Sequence, residues 1–145
     1  MESSSNSQLA NGVAGIEIVL GLIFLAVMII VTIFYILTLQ KALRRCSPES
    51  RAMEPGMVWL LLIPCFNIIW HFFVVINLAK SFSAEFAKRG IPIEPEPGKK
   101  LGIIMCILGC CGLIPIVNLI AGLAYFICWI IYWIKIAEYS KKLAV

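Results

Sequence analysis

The chain has 145 residues, of which 61% are hydrophobic and only 14% charged, with a net charge of +4 and a mean hydropathy of +0.98. Soluble domains run at about 45–50% apolar and about 25% charged residues, so this composition excludes a soluble globular domain, a disordered chain and a coiled coil. What remains is an all-α class, a small polytopic helical membrane protein.

Residues 1–12 read as a polar tail containing Ser and Asn but no Lys or Arg. A signal peptide needs a positive start and a short apolar core with a small-residue exit, and this segment has neither. The uncharged run Ile18 to Gln40 matches the roughly 20 residues that cross a hydrocarbon core of about 30 Å. A first transmembrane helix is therefore predicted over 13–40, opened by Glu17, where the helix dipole favours a carboxylate.

A basic loop follows at 41–54, with Lys41, Arg44, Arg45 and Arg51. Cys46 lies in it beside two arginines and next to the first span, which makes it a candidate for lipidation. The other five cysteines lie inside apolar stretches, where thiols pack as small hydrophobes. Cys106 and Cys110 share a helix face, but one face cannot complete a tetrahedral metal site. Free thiols and no metal are expected.

The segment 55–90 contains the uncharged run Pro55 to Ala79. It reads either as a proline-broken hairpin or as one kinked span, continued by an interfacial helix on which Phe82 and Phe86 share a face. Gly90 ends that helix. Residues 91–100 form a stiff linker with Pro92, Pro95 and Pro97. The last uncharged run, Leu101 to Ile134, would make a helix of about 50 Å, too long for one span. Residues 101–142 are therefore predicted as a transmembrane hairpin.

An internal repeat unites the last two segments. Leu62-Ile63-Pro64-Cys65-Phe66-Asn67-Ile68-Ile69 recurs as Leu113-Ile114-Pro115-Ile116-Val117-Asn118-Leu119-Ile120, with the shared pattern L-I-P-x-x-N-φ-I. Proline disfavours helix at the residue before it, and asparagine is a favoured N-cap. Pro64 and Pro115 are thus expected to break the helix, with Asn67 and Asn118 capping its restart. The predicted architecture is one N-terminal span plus two repeated hairpins broken at LIPxxN.

Charge placement sets the orientation. With both repeats as hairpins, the basic residues of 41–54, 80–100 and the tail from Lys135 all fall on one side, the cytoplasmic one. The N-terminus then lies outside, and the membrane of choice is a bacterial inner membrane. If 55–79 spans once instead, the basic residues divide between the two sides. Tyr35, Trp59, Tyr132, Trp133 and Tyr139 lie near the basic ends, where an interfacial aromatic belt is expected.

Polar groups inside the apolar runs are the candidates for function, because lipid does not satisfy them. They are Asn67, His71 and Asn118. His71 is the only histidine, and it reads either as a haem or pigment ligand or as a side chain bonded to a neighbouring helix. Enzyme signatures are absent: there is no G-x-S-x-G, H-E-x-x-H or P-loop, and no aspartate at all. Three readings follow. One is a non-catalytic multi-pass protein that packs against itself or other membrane subunits as an oligomeric or accessory component. The second is an oligomeric channel or pore lined by Asn67, His71 and Asn118. The third, haem or pigment binding through His71, has the least support. Lipid is the expected partner of the basic ends, and nucleic acid is not expected.

Overall fold

The computed structural model describes the backbone of residues 2–144, and the side chains of these apart from residues 2–7, 9, 10, 64 and 65. Pro64 is therefore described by its backbone alone. Four α-helices account for most of the chain: α1 (Glu2–Arg45), α2 (Pro64–Lys88), α3 (Lys99–Cys111) and α4 (Asn118–Lys142). Two 3₁₀ segments, Pro48–Ser50 and Pro55–Leu62, lie between α1 and α2. Among the described residues, three stretches are long and apolar enough to cross a membrane, Asn11–Arg45, Phe66–Lys88 and Asn118–Lys142. The chain is an all-α protein of multi-span membrane character.

Contacts divide it into two units, Met1–Phe34 and Tyr35–Val145. The first is a single stretch of helix, and residues 11–30 are exposed without interruption. The polar segment at 1–12 was expected as a tail, yet the helix begins at Glu2. No proline interrupts the chain before Ser47. Once nucleated, each further helical residue adds a hydrogen bond for one residue fixed.

The second unit has a core built from stripes at helical spacing. Ile36, Leu39 and Leu43 come from α1, Val75, Leu78, Phe82 and Phe86 from α2, and Tyr132 and Ile136 from α4, all fully buried. Met105 enters from α3. Spacings of three and four residues put each set on one helix face. Gly102 lets α3 approach closely: a Cβ there would overlap Val75 and lie 2.9 Å from Tyr132 Cε2.

Side-chain bonds fix the direction of the helices. Arg45 Nη1 donates to Ser140 O at 2.7 Å and to Ser140 Oγ at 2.9 Å. Arg89 Nη1 donates to Leu143 O at 2.9 Å, and Arg89 Nη2 to Arg45 O at 3.4 Å. The C-terminal ends of α1, α2 and α4 therefore meet, and within this unit the three run in the same direction. Each leaves orphan carbonyls at its last turn, and arginine is suited to them by charge and by its fork of donors. Arg51 does the same for α1, donating to Leu43 O and Cys46 O at 2.9 Å and to Arg44 O at 3.0 Å.

Helices that run in the same direction require the chain to return twice. The first return is segment 46–62, which runs antiparallel to α2. Ser47 N meets Glu85 Oε2 at 2.8 Å, Ala52 N meets Ser81 Oγ at 2.9 Å, and Trp70 Nε1 donates to Met57 O at 2.9 Å. The second return is α3, about 20 Å long at 1.5 Å per residue. It starts beside the C-terminal part of α4, where Gly98 faces Ile136 and Tyr132, and ends beside the Asn118 end. Between α2 and α3, Gly90 at φ 67 closes α2. Gly90 N bonds Ala87 O at 3.1 Å and Ile91 N bonds Phe86 O at 3.0 Å, the paired bonds of a Schellman motif.

The two copies of the octet differ from expectation and from each other. Asn67 and Asn118 do not cap their helices. α2 opens at Pro64 itself, after Ile63 in extended geometry, and Asn67 N already bonds Ile63 O at 2.7 Å. Proline is well suited to the first helical position, since it arrives with helical φ and has no N–H to satisfy. In the second copy Pro115 lies in the turn between α3 and α4, Val117 takes the cap position, and Asn118 is the first helical residue with no side-chain cap bond. The aromatic belt is also corrected: Tyr35, Tyr132 and Tyr139 are buried in the core. They gain rings and aliphatic side chains as neighbours there.

Candidate functional site

Asn67 and His71 lie four residues apart near the start of α2, on one helix face. Asn118 opens α4. The antiparallel return of α3 brings both helix starts to the same end of the unit. The three side chains line one cavity of about 290 Å³, together with Ile68, Cys106, Leu108, Gly109, Gly112, Leu113, Gly122 and Tyr125. Among the described residues, no charged side chain lines it.

His71 is 7% exposed, and its Nε2 lies 2.9 Å from the Tyr35 hydroxyl, in hydrogen-bond contact. The rings stand edge to face at 5.9 Å. Tyr35 packs in turn on Trp129 and Trp133, with centroids 5.1 and 5.9 Å away. Trp133 Nε1 donates to Thr38 Oγ1 at 2.9 Å. The histidine is thus one end of a polar and aromatic cluster joining α1, α2 and α4. A haem or pigment bound through Nε2 would have to displace the tyrosine. Among the described residues, no group of three His, Cys, Asp or Glu side chains converges to hold a metal ion.

Asn67 Oδ1 is buried and, among the described residues, has no hydrogen-bond partner. A buried carbonyl oxygen without a donor costs about 1–3 kcal/mol. Asn118 is exposed, and its Oδ1 lies 3.7 Å from where a Cβ on Gly122 would stand. Glycines keep the space open: a Cβ at Gly109 would press on Tyr125 Cε2 at 3.2 Å, and one at Gly112 on Gly109 O at 3.4 Å. The sequence marks Gly109 and Gly112 as a helix break and as small packing residues, but not that they would face Gly122 of α4 across a cavity, and Tyr125 and the Tyr35 partner were missed. The glycine spacings were visible, but not which helix they would face.

Cys46, the lipidation candidate, is 1% exposed and its Sγ lies 3.6 Å from Ala42 O. Burial, with the Glu85 carboxylate nearby, pushes its thiol up to about 12. Acylation there requires the thiol to leave this packing. The polar network around it is structural. Glu85 Oε2 accepts from Ser47 N at 2.8 Å and from Ser47 Oγ at 2.7 Å, and Oε1 accepts from Arg89 Nε at 2.8 Å. On the outside, Lys88 Nζ meets Glu49 at 2.7 Å, and its ammonium holds the exposed Glu49 carboxyl below the usual range.

Among the described residues, fold and cavity together define an all-α bundle with three candidate membrane-spanning helices and a cavity lined mostly by apolar surface. No family model, curated protein or solved structure matches the chain.

Proposed function

We propose that this is a multi-pass protein of a bacterial inner membrane that acts by helix–helix contact, as a homo-oligomer or an accessory subunit, and carries out no catalysis. The observation that carries the reading is the bare apolar surface of its long helices. Residues 11–30 of α1 are exposed throughout, and α4 exposes Leu119, Ile120, Leu123, Phe126, Ile127, Ile130, Ile131 and Ile134. No charge interrupts either face beyond Glu17. Such faces meet lipid or other transmembrane helices, and close helix packing is what associates them in a bilayer.

The common direction of α1, α2 and α4 supports an orientation with all basic ends cytoplasmic. Segment 46–62 and α3 are then re-entrant returns from that side, and the N-terminus is outside. The test is native mass spectrometry of the detergent-extracted protein. A discrete species at a multiple of 16.1 kDa, or with a defined partner, is expected. A bare monomer under all mild detergents contradicts the reading.

A second reading, an oligomeric channel, has one observation in its favour: Asn67, His71 and Asn118 share one cavity. Towards the basic end, however, Val74, Val75, Leu78, Phe82, Met105 and Tyr132 fill the interior of the same unit. An ion path would have to run between copies. Current from liposomes that Asn118→Leu removes, with the oligomer intact, would favour the channel; silence of the wild type would remove it.

A further inference from the structure

We propose that the second unit holds anionic phospholipid headgroups on a collar of four lysines, Lys41, Lys80, Lys100 and Lys135, one from each helix. The inference rests on the helices lying in a bilayer and not on the assembly proposed above.

Each of the four lysines bounds the uncharged stretch of its own helix. No Lys, Arg, Asp or Glu occurs in 18–40 of α1, 64–79 of α2, 101–111 of α3 or 118–134 of α4. Bonds and close approaches between helices then put the four at one level. Trp133 donates to Thr38 and Arg45 to Ser140, so α1 and α4 keep one register and Lys41 stands level with Ile136, next to Lys135. Tyr35 meets His71 and Ser47 meets Glu85, which sets Lys41 level with residues 77–79 of α2, next to Lys80. A Cβ on Gly98 would meet Ile136 and one on Gly102 would meet Tyr132, so Lys100 between them stands level with residue 134. The spread is about one helical turn, roughly 5 Å.

Among the described residues, the cations of this end divide into two sets. Arg45, Arg51 and Arg89 donate to backbone carbonyls, and Lys88, Lys99 and Lys142 pair with Glu49, Glu96 and Glu138. No such partner meets the collar lysines; Lys41, Lys80 and Lys100 are exposed and Lys135 is half-buried. Glu54, which bounds the apolar segment 55–62, is the carboxylate nearest this level, since Ala52 N bonds Ser81 Oγ. The level therefore keeps a positive balance, and it keeps it where the uncharged stretches of all four helices end.

The position selects the ligand. Four charges spread over four helices at one depth match a layer of anions, and at the edge of the hydrocarbon that layer is lipid phosphate. A long lysine stem reaches this level while its methylenes stay against apolar surface. A zwitterionic headgroup brings its own ammonium and offers these lysines less, so a headgroup of net negative charge is preferred, by about fivefold for each lysine near the surface.

The test places the full chain in phosphatidylcholine bilayers with spin-labelled phosphatidylglycerol or spin-labelled phosphatidylcholine, and electron spin resonance measures the lipid restricted at the protein. Phosphatidylglycerol should be held about fivefold more strongly at low salt, and the preference should fall steeply in 1 M salt, where exposed charges are screened. Changing all four lysines to glutamine should bring the two lipids level. Lys80→Gln with Lys135→Gln should lower the preference, whereas Lys88→Gln with Lys142→Gln, the same change in charge at cations already paired, should leave it near the wild-type value. Equal binding of the two lipids by the wild type, a preference that survives the four changes, or equal loss in the two pairs overturns the proposal. Displacement by soluble glycerophosphoglycerol also overturns it, because the site would then take a free phosphate and not a lipid. The salt dependence of the wild type decides the matter even if a variant fails to fold. Restricted lipid is read for a monomer and an oligomer alike, so the result is independent of the assembly's mass; absence of restricted lipid of either kind would refute the bilayer reading itself.

Discussion

The Tyr35 hydroxyl and His71 Nε2 stand 2.9 Å apart in a buried contact between α1 and α2. The bond ties the only histidine of the chain to the core, between the cavity and the aromatic cluster of Trp129 and Trp133. Tyr35→Phe removes the hydroxyl and keeps the ring. It should cost about 1 kcal/mol, the usual net worth of such a bond, at the upper part of the range seen between membrane helices. Unfolding by SDS in mixed micelles measures this. A double-mutant cycle with His71→Phe should return most of that energy as coupling; additive costs would mean that the pair does not interact.

Glu85 joins the loop after α1 to the end of α2. Its carboxylate accepts the Ser47 N–H and hydroxyl and the Arg89 guanidinium. Glu85→Ala should destabilise the second unit by about 2–3 kcal/mol, because hydrogen bonds to charged groups are the stronger ones. Glu85→Gln should retain part of the network and cost less. Proteolysis of the 46–54 loop gives a second readout, with faster cleavage in the alanine variant. Equal protection of all three proteins would contradict a clamp at this site.

Gly102 is where α3 comes closest to its neighbours. An added methyl would overlap Val75 and crowd Tyr132 Cε2 at 2.9 Å. Gly102→Ala should therefore destabilise by about 1–3 kcal/mol, the range for overpacking, despite alanine's better helix propensity. Adding Val75→Ala should recover part of the loss. Recovery separates steric crowding from an effect on helix formation, which the second change would not relieve.

Hydropathy made the helical membrane character legible, since runs without charge require helices in lipid. The stop at Gly90 was legible too, because a left-handed backbone there favours glycine. The opening of α2 was not. Asparagine and proline compete to begin a helix, and proline at the first position won. The buried tyrosines were misread because an aromatic near a basic end suits an interface and a core equally well. Asn67, His71 and Asn118 stood out one by one as polar groups in apolar runs. They were grouped as the lining of a pore in an oligomer, but not as the wall of a cavity within one chain, because that depends on α3 returning antiparallel, a long-range relationship that no local pattern encodes.

Cys46 provides a pH test. Burial raises its thiol from an ordinary value of 9.0 to about 12, and the thiolate is the reactive form. Alkylation by iodoacetamide should therefore be negligible at neutral pH and rise about tenfold per pH unit well into the alkaline range. The folded state holds this proton more tightly than the unfolded chain, so the linked stability is present below pH 9.0 and is lost as pH rises towards 12. Mapping by mass spectrometry in native micelles checks the rate at this cysteine. Rapid modification at pH 7, or acylation of Cys46 in membranes, would contradict the burial.

The common direction of α1, α2 and α4 is tested most directly by two-sided labelling. Glu49→Cys and Lys100→Cys, each in a chain whose six native cysteines are alanine, are treated with a membrane-impermeant maleimide in sealed vesicles of known orientation. Both positions lie at the end where the three helices terminate, and both should react from the same face, the cytoplasmic one. Reaction of the two from opposite faces would mean that the chain crosses the bilayer between them, and the arrangement with two returns would be wrong.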